Sequence, residues 1–282
     1  MHRTTARPVV AMLIVLSLLL LCVPAFAGGG GTIDGRPLDW LGQVSPRVDY
    51  DTISYNNGVI MASLDGEAVF LRTYVYEKNW LVIERTGIRC VNPIWDRDGV
   101  TGYVNGRLTH WVGAKSVFVN ARTFKDPVRP AFSTDQIAYG GGNILVVANR
   151  TGKPCEQQIN LGKLTLGSVT ISPEGIYFTA APENGKSRLY LASLTKAGYR
   201  VNLVEAIPAA DQVCWGADRL YLVDKWGVSS WNYGDRGGLI RDAVISPSAA
   251  PYVLCGGDNT QVIFFDGYGN ANSVGIPPNE KG

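Results

Sequence analysis

Residues Val169–Ser193 read VTISPEGIYFTAAPENGKSRLYLAS, with the turn Ser172-Pro173-Glu174-Gly175 set between two β-type runs. Two readings compete for it. Glu174 could be a carboxylate with chemistry to perform, or the turn could be a corner in a sheet. Pro suits the second position of a tight turn, Gly suits a later position that needs positive φ, and an acidic side chain there accepts backbone N–H bonds. A partner stretch near the C-terminus supports the corner. ISPSAAPYVLCGGDNTQVIFFD, from Ile245, leads Ile-Ser-Pro through a turn into a β-type run, a polar turn and a second run. More degenerate copies begin at Thr52 (TISYNNGVIMASLDGEAVFLR), Asn92 (NPIWDRDGVTGYVNGRLTHWV), Arg129 (RPAFSTDQIAYGGGNILVVAN) and Gln212 (QVCWGADRLYLVDKWGVSSWN).

The apolar residues that precede these turns are Ile53, Trp95, Phe132, Ile171, Trp215 and Ile245. Their spacing clusters near the period of about 40 residues expected of four-stranded propeller blades. The last step, from Trp215 to Ile245, is the shortest. Runs such as ILVVAN, IYFTAA, LYLVD and VIFFD are β-branched and aromatic, and Gly, Asn, Asp and Pro bound them. No later stretch sustains a helical period with caps. The reading is an all-β, six-bladed propeller of four-stranded antiparallel blades. The alternative, a β-sandwich, would not produce a recurring turn at this period.

The Ser-Pro-Glu-Gly turn followed by a strand resembles the repeats of TolB-type β-propellers, and more loosely WD-repeat blades. The resemblance is carried by Ser172-Pro173-Glu174-Gly175, Asp96-Arg97-Asp98-Gly99, Ser133-Thr134-Asp135-Gln136 and the partial Ser246-Pro247. TolB has an additional α/β domain ahead of its propeller, for which this chain has no room, so its partners do not transfer.

The N-terminus speaks to compartment. Arg3 and Arg7 precede an apolar run from Val9 to Cys22, then Pro24 and Ala25-Phe26-Ala27. This is the pattern of a signal peptide over residues 1–27 with cleavage after Ala27, which implies a periplasmic or secreted protein. The apolar run is short for a membrane span of about 20 residues, so no transmembrane segment is expected after cleavage. A lipoprotein cleaved at Cys22 is less favoured because Leu21 is not small. Residues 28–32 form a flexible Gly-rich lead and 33–282 a single propeller domain, with Ile33 to Val48 expected to help close the ring.

The full chain has 26 Lys+Arg against 24 Asp+Glu. Removing the leader with its two arginines leaves a neutral chain with no basic block, which argues against a nucleic-acid partner. Of five cysteines and two histidines, Cys90, Cys155, Cys214, Cys255 and His110 lie beyond the leader. One imidazole and no CxxC argue against a metal site, and no cofactor is expected. A Ser-His-Asp relay through His110 lacks a Gly-x-Ser-x-Gly elbow. The Asp-box of sialidases is not matched either, since Ser133-Thr134-Asp135-Gln136-Ile137 lacks its Gly. Cys214 and Cys255, on neighbouring blades, are the pair placed for a disulfide, with free buried thiols the equal alternative.

Asp98, Asp135 and Glu174 occupy equivalent repeat positions and read as structural corners. The aromatic residues are better binding candidates. Trp226, Trp231 and Tyr233 lie among Gly, Ser, Asn and Asp, and Trp111 lies on a strand with His110. Large rings beside short polar side chains suit protein or glycan recognition, while the plainer role for Trp is filling space between blades. The expectation is a non-catalytic binding or scaffold protein of the cell envelope, monomeric, with a protein or glycan partner. The alternative is an extracytoplasmic hydrolase or lyase with an acidic site in the central channel.

Overall fold

Short β-branched runs punctuated by Gly and Asx turns give the chain hairpin after hairpin. The computed structural model describes residues 48–275 apart from 57, 77, 151–154, 208, 226, 234–237, 247–252, 258–260 and 266–270. Residues 1–47, on which the signal-peptide and Gly-rich-lead readings and nearly all of the expected ring-closing segment fall, therefore lie outside the described residues.

Six antiparallel sheets follow in chain order. Blade 1 comprises β1 (Val48–Asn56), β2 (Val59–Leu64), β3 (Glu67–Tyr76) and β4 (Lys78–Arg89). Blade 2 is β5 (Val91–Asp96), β6 (Gly99–Val104), β7 (Arg107–Val112) and β8 (Lys115–Val119). Blade 3 is β9 (Pro127–Phe132), β10 (Gln136–Gly141), β11 (Ile144–Asn149) and β12 (Glu156–Asn160). Blade 4 is β13 (Leu164–Ser172), β14 (Gly175–Pro182), β15 (Arg188–Thr195) and β16 (Gly198–Leu203). Blade 5 is β17 (Gln212–Gly216), β18 (Arg219–Asp224), β19 (Gly227–Tyr233) and β20 (Leu239–Ser246). Blade 6 holds three strands among the described residues, β21 (Val253–Gly257), β22 (Gln261–Phe265) and β23 (Ala271–Gly275). The hairpin turns at Asp65-Gly66 and Asn105-Gly106 have positive φ at both central residues (53° and 78°, 51° and 73°), which matches the right-handed twist of the strands they join.

Each blade's first strand touches the first strand of the next, and β21 touches β1, so the ring closes. The hydrophobic core is accordingly divided into six layers, one between each pair of adjacent blades. Met61 meets Trp111 between blades 1 and 2, and Tyr103 meets Tyr139 between blades 2 and 3. Leu145 meets Phe178, Tyr177 meets Leu220, Tyr221 meets Phe264, and Tyr55 meets Ile263 to complete the circle. Each large buried side chain in these layers contributes about 1.5–3 kcal/mol through its removal from water, so the blades hold one another up by face-to-face burial. The architecture is a six-bladed all-β propeller, as the turn spacing predicts.

One anchor is corrected. Five of the six proposed turn residues lie near the ends of first strands, but Ile245 falls on β20, the outer strand of blade 5. The first strand of blade 6 is β21. The residues that open each first turn are Asn56, Asp96, Ser133, Ser172, Gly216 and Gly257. All of these keep the period of about 40 residues, and the short final step disappears. Ile-Ser-Pro at 245–247 resembles its counterpart because an outer strand and an inner strand both end in Ile-Ser.

Candidate functional site

The six first strands wall a central channel of about 1280 Å³, lined by residues from Tyr55, Ile94, Arg129, Thr170, Cys214 and Cys255 around the ring. The inner edge of a first strand has no neighbour in its own blade, so its backbone groups need partners from elsewhere. Polar side chains of adjacent blades supply them. Ser54 Oγ donates to Pro93 O (2.6 Å) and Asn56 Nδ2 to Trp95 O (2.7 Å), joining blade 1 to blade 2. Asn92 Nδ2 donates to Pro127 O (2.7 Å), joining blade 2 to blade 3. The Val213 and Trp215 amides of blade 5 donate to Ser168 Oγ (3.0 Å) and Thr170 Oγ1 (2.9 Å) of blade 4, and the Leu254 amide donates to Gln212 Oε1 (2.8 Å). One connection crosses the ring. Arg129 of blade 3 donates through one nitrogen to Leu254 O (2.7 Å) and Cys255 O (3.3 Å) of blade 6, diametrically opposite.

At the end of the channel where the first turns gather, charge concentrates between blades 2 and 3. Arg150 pairs with Asp96, donates to Ser133 O (2.6 Å) and lies 5.0 Å above the Phe132 ring. Burial raises the Asp96 carboxyl above the ordinary aspartate value against the pull of Arg150, and burial likewise lowers Arg150. Both shifts have one cause: desolvation outweighs the attraction within this pair. Arg97 donates to Thr134 O (2.6 Å). His110 shares a 2.8 Å hydrogen bond with Thr101 Oγ1 through Nδ1, and its Nε2 stands 3.6 Å from Asp98 Oδ1. This order of hydroxyl, imidazole and carboxylate resembles a nucleophilic relay, but Thr101 is 2% exposed and its hydroxyl is closed to substrate. Among the described residues lining the channel, Asp135 is the one carboxylate, and it is exposed. No group of three His, Cys, Asp or Glu is gathered for a metal among the described residues.

Glu174, in the turn between β13 and β14, is exposed. The Ser172-Gly175 corner is closed by Ser172 instead, whose Oγ accepts from the Glu174 amide (3.2 Å) and donates to Gly175 O (3.1 Å). Gly175 has φ +143°, and a Cβ there would stand 2.5 Å from Ala192 O.

The aromatic candidates are placed apart. Trp111 is buried in the layer between blades 1 and 2, and Trp231 in the layer between blades 4 and 5, where its Nε1 donates to Ser229 Oγ (2.9 Å). The guanidinium of Arg241 covers the Trp231 ring at 5.2 Å. Tyr233 is half-buried; burial first, then the Glu174 carboxylate, raises its hydroxyl pKa. Trp226 lies outside the described residues. Small neighbours such as Ser229 and Ser230 make room for a ring to pack between blades, so the polar context read as exposure is the context of burial. Cys214 and Cys255 do lie on the first strands of adjacent blades, but both are buried free thiols. Burial raises the Cys255 thiol pKa.

Two features are absent from the sequence reading. The Arg129 strut joins residues 125 and 126 positions apart, beyond any local pattern. The outer strand of blade 2, Lys115-Ser116-Val117-Phe118-Val119, is exposed at every position, although its apolar run reads as a half-buried strand.

No family model matches the chain, and no curated protein sequence matches it. Among solved structures, the chain is similar to a chain of the mitotic checkpoint complex, with TM-score 0.52 and 10% identity over 81% of this chain and 75% of that one. It is also similar to Hsv2p of Kluyveromyces lactis, with TM-score 0.50 and 10% identity over 79% of this chain and 72% of that one. At such identities the likeness shows the fold alone.

Proposed function

We infer that this protein is a non-catalytic, extracytoplasmic propeller that binds a protein partner through its outer surface. The observation that carries the reading is the chemistry of the channel wall. Its Ser, Thr, Asn, Gln and Arg side chains hold blade to blade, and Asp135 is its single described carboxylate. Hydrolysis by paired carboxylates needs an acid and a base facing one substrate, and the wall offers no such pair among the described residues. A protein partner is preferred to a glycan because the surface exposes Val117, Phe118, Leu194 and Ile240, which are aliphatic or isolated, while Trp111 and Trp231 face the core. The extracytoplasmic placement rests on Arg3, Arg7, the Val9 to Cys22 run and Ala25-Phe26-Ala27. Kinship with TolB-type repeats rests on the recurrent turn.

Two measurements test this. Fractionation of cells expressing the full chain should place it outside the cytoplasm with residues 1–27 removed. Affinity capture from envelope extract should retain a saturable protein partner. Turnover of ester, phosphoester or glycoside reporter substrates that is lost on Asp135→Asn would overturn the non-catalytic reading.

A further inference from the structure

The outer strand of a propeller blade is a sheet edge, and a bare edge is a template for pairing with another chain. Blade 1 ends in the longest such strand among the described residues, β4, which pairs with β3. β2 accompanies β3 only as far as Leu71, which stands opposite Ile60. Beyond it, among the described strands, β3 and β4 pair with each other alone: Arg72 with Val82, Thr73 with Leu81, Tyr74 with Trp80, Val75 with Asn79 and Tyr76 with Lys78. The blade thus continues as a two-stranded ribbon that runs about 16 Å past its last three-stranded row. A two-stranded ribbon is marginally stable in water, whereas three or more strands with an apolar face hold together.

Along this ribbon β4 reads Lys78-Asn79-Trp80-Leu81-Val82-Ile83-Glu84, an apolar run with a base at one end and an acid at the other. We propose that β4 pairs antiparallel with β4 of a second copy of this chain, about a two-fold axis at Leu81. In that register Lys78 stands opposite Glu84 of the second copy at both ends, Trp80 opposite Val82, Asn79 opposite Ile83, and Leu81 opposite itself. Alternate residues of a strand share a face, so Lys78, Trp80, Val82 and Glu84 lie on one face. Opposite charges there flank aromatic–β-branched pairs, and both are favourable cross-strand combinations. A slip of one residue in one direction sets Lys78 against Arg85 of the second copy, a like-charge pair, and in the other direction against Ile83. The two ribbons become one four-stranded sheet in the order β3-β4-β4-β3, which meets the need that each ribbon has alone. A two-fold contact of this kind closes on itself, so assembly stops at the dimer. An unrelated strand could meet the same edge, but a base and an acid placed equally about Leu81 are what self-pairing requires. The dimer is independent of the partner-binding reading above, and it replaces the monomer expected from the sequence.

The test is a charge exchange followed by analytical ultracentrifugation of the full chain without its leader. The parent should sediment as a dimer at micromolar concentration. Lys78→Glu and Glu84→Lys should each weaken self-association about tenfold or more, because each sets like charges opposite one another at both ends. Mixing the two variants should restore a dimer, since both end pairs are then of opposite charge, and this recovery also shows that neither variant is misfolded. A cross-link fixes the register. In a Cys155→Ser background, Leu81→Cys should give a covalent dimer on mild oxidation, since facing Cα atoms of antiparallel strands lie about 4.5–5.5 Å apart. Asn79→Cys should not, because it stands about 13 Å along the strand from its own counterpart. A parent that sediments as a monomer, or a dimer that both charge variants leave intact, would sink the proposal. So would a mixture that stays monomeric, or a cross-link that forms through Asn79→Cys and not through Leu81→Cys.

Discussion

Replacing Arg129 by Met tests whether a single side chain braces the ring across its axis. Methionine keeps most of the apolar stem and removes the donors to Leu254 O and Cys255 O. A hydrogen bond from a charged group contributes about 1.5–3 kcal/mol. The shorter bond, to Leu254 O, falls in that range, and the longer one from the same nitrogen to Cys255 O adds little to it. The expected loss is therefore about 2–3 kcal/mol, increased by whatever penalty falls on two carbonyls left facing the channel. For a domain of this size a loss of about 1 kcal/mol lowers Tm by about 2–4 °C, so the variant should melt about 5–10 °C below the parent. Location matters more than size. The strut ends on β21, so hydrogen exchange should quicken at Val253–Gly257 and at its partner β22, while blades 1 and 2 keep their protection. A variant that melts within about 1 °C of the parent, with unchanged exchange at β21, would show that the two carbonyls are satisfied without Arg129 and that the strut contributes nothing.

Other substitutions separate corner from chemistry. Glu174→Gln should leave stability within about 0.5 kcal/mol of the parent, because the carboxylate is exposed, whereas Gly175→Ala should lower Tm measurably, since its Cβ would meet Ala192 O at 2.5 Å. In native protein one of Cys90, Cys155, Cys214 and Cys255 should react quickly with a thiol reagent, namely the exposed Cys155, and all four should react after denaturation. Cys90, with its thiol pKa pushed up to about 12 by burial, should be among the slow ones, and only two reacting on denaturation would instead reveal a bridge. The Asp96 carboxyl is raised in the fold, so the folded state holds its proton at a pH where the unfolded chain has released it. Stability from this group is thus fully present below the ordinary aspartate value and is lost as pH rises through the folded value. Denaturation of the parent minus that of Asp96→Asn, measured upward from about pH 3.5, should show that decline, and a flat or rising difference would contradict the assigned sign.

The turns made the fold legible. Asp96-Arg97-Asp98-Gly99 and Ser172-Pro173-Glu174-Gly175 are local, and turn chemistry is written in adjacent residues, so counting them counted blades. Strand identity within a blade is not local. β20 ends in Ile245-Ser246 much as β13 ends in Ile171-Ser172, and only pairing partners reveal that one is outermost and the other innermost. The candidate site was less legible for the same reason. Whether Trp231 faces solvent depends on Tyr177, a full blade earlier in the chain, and whether Phe118 is covered depends on β8 being the outermost of the described strands in its sheet. Local composition reports that a residue is large and apolar, and the ring decides what stands opposite it.

The crossing of Arg129 from blade 3 to blade 6 has a consequence for how the molecule would come apart. Covalently, the chain visits its blades in order, and a cut between β12 and β13 separates blades 1–3 from blades 4–6. The two halves would still share two interblade layers, at blades 3–4 and 6–1, and a guanidinium that reaches from one half into the other. Such a protein lends itself to reconstitution from two separately made pieces, and the boundary near Leu161–Leu164 is where a split reporter would be cut.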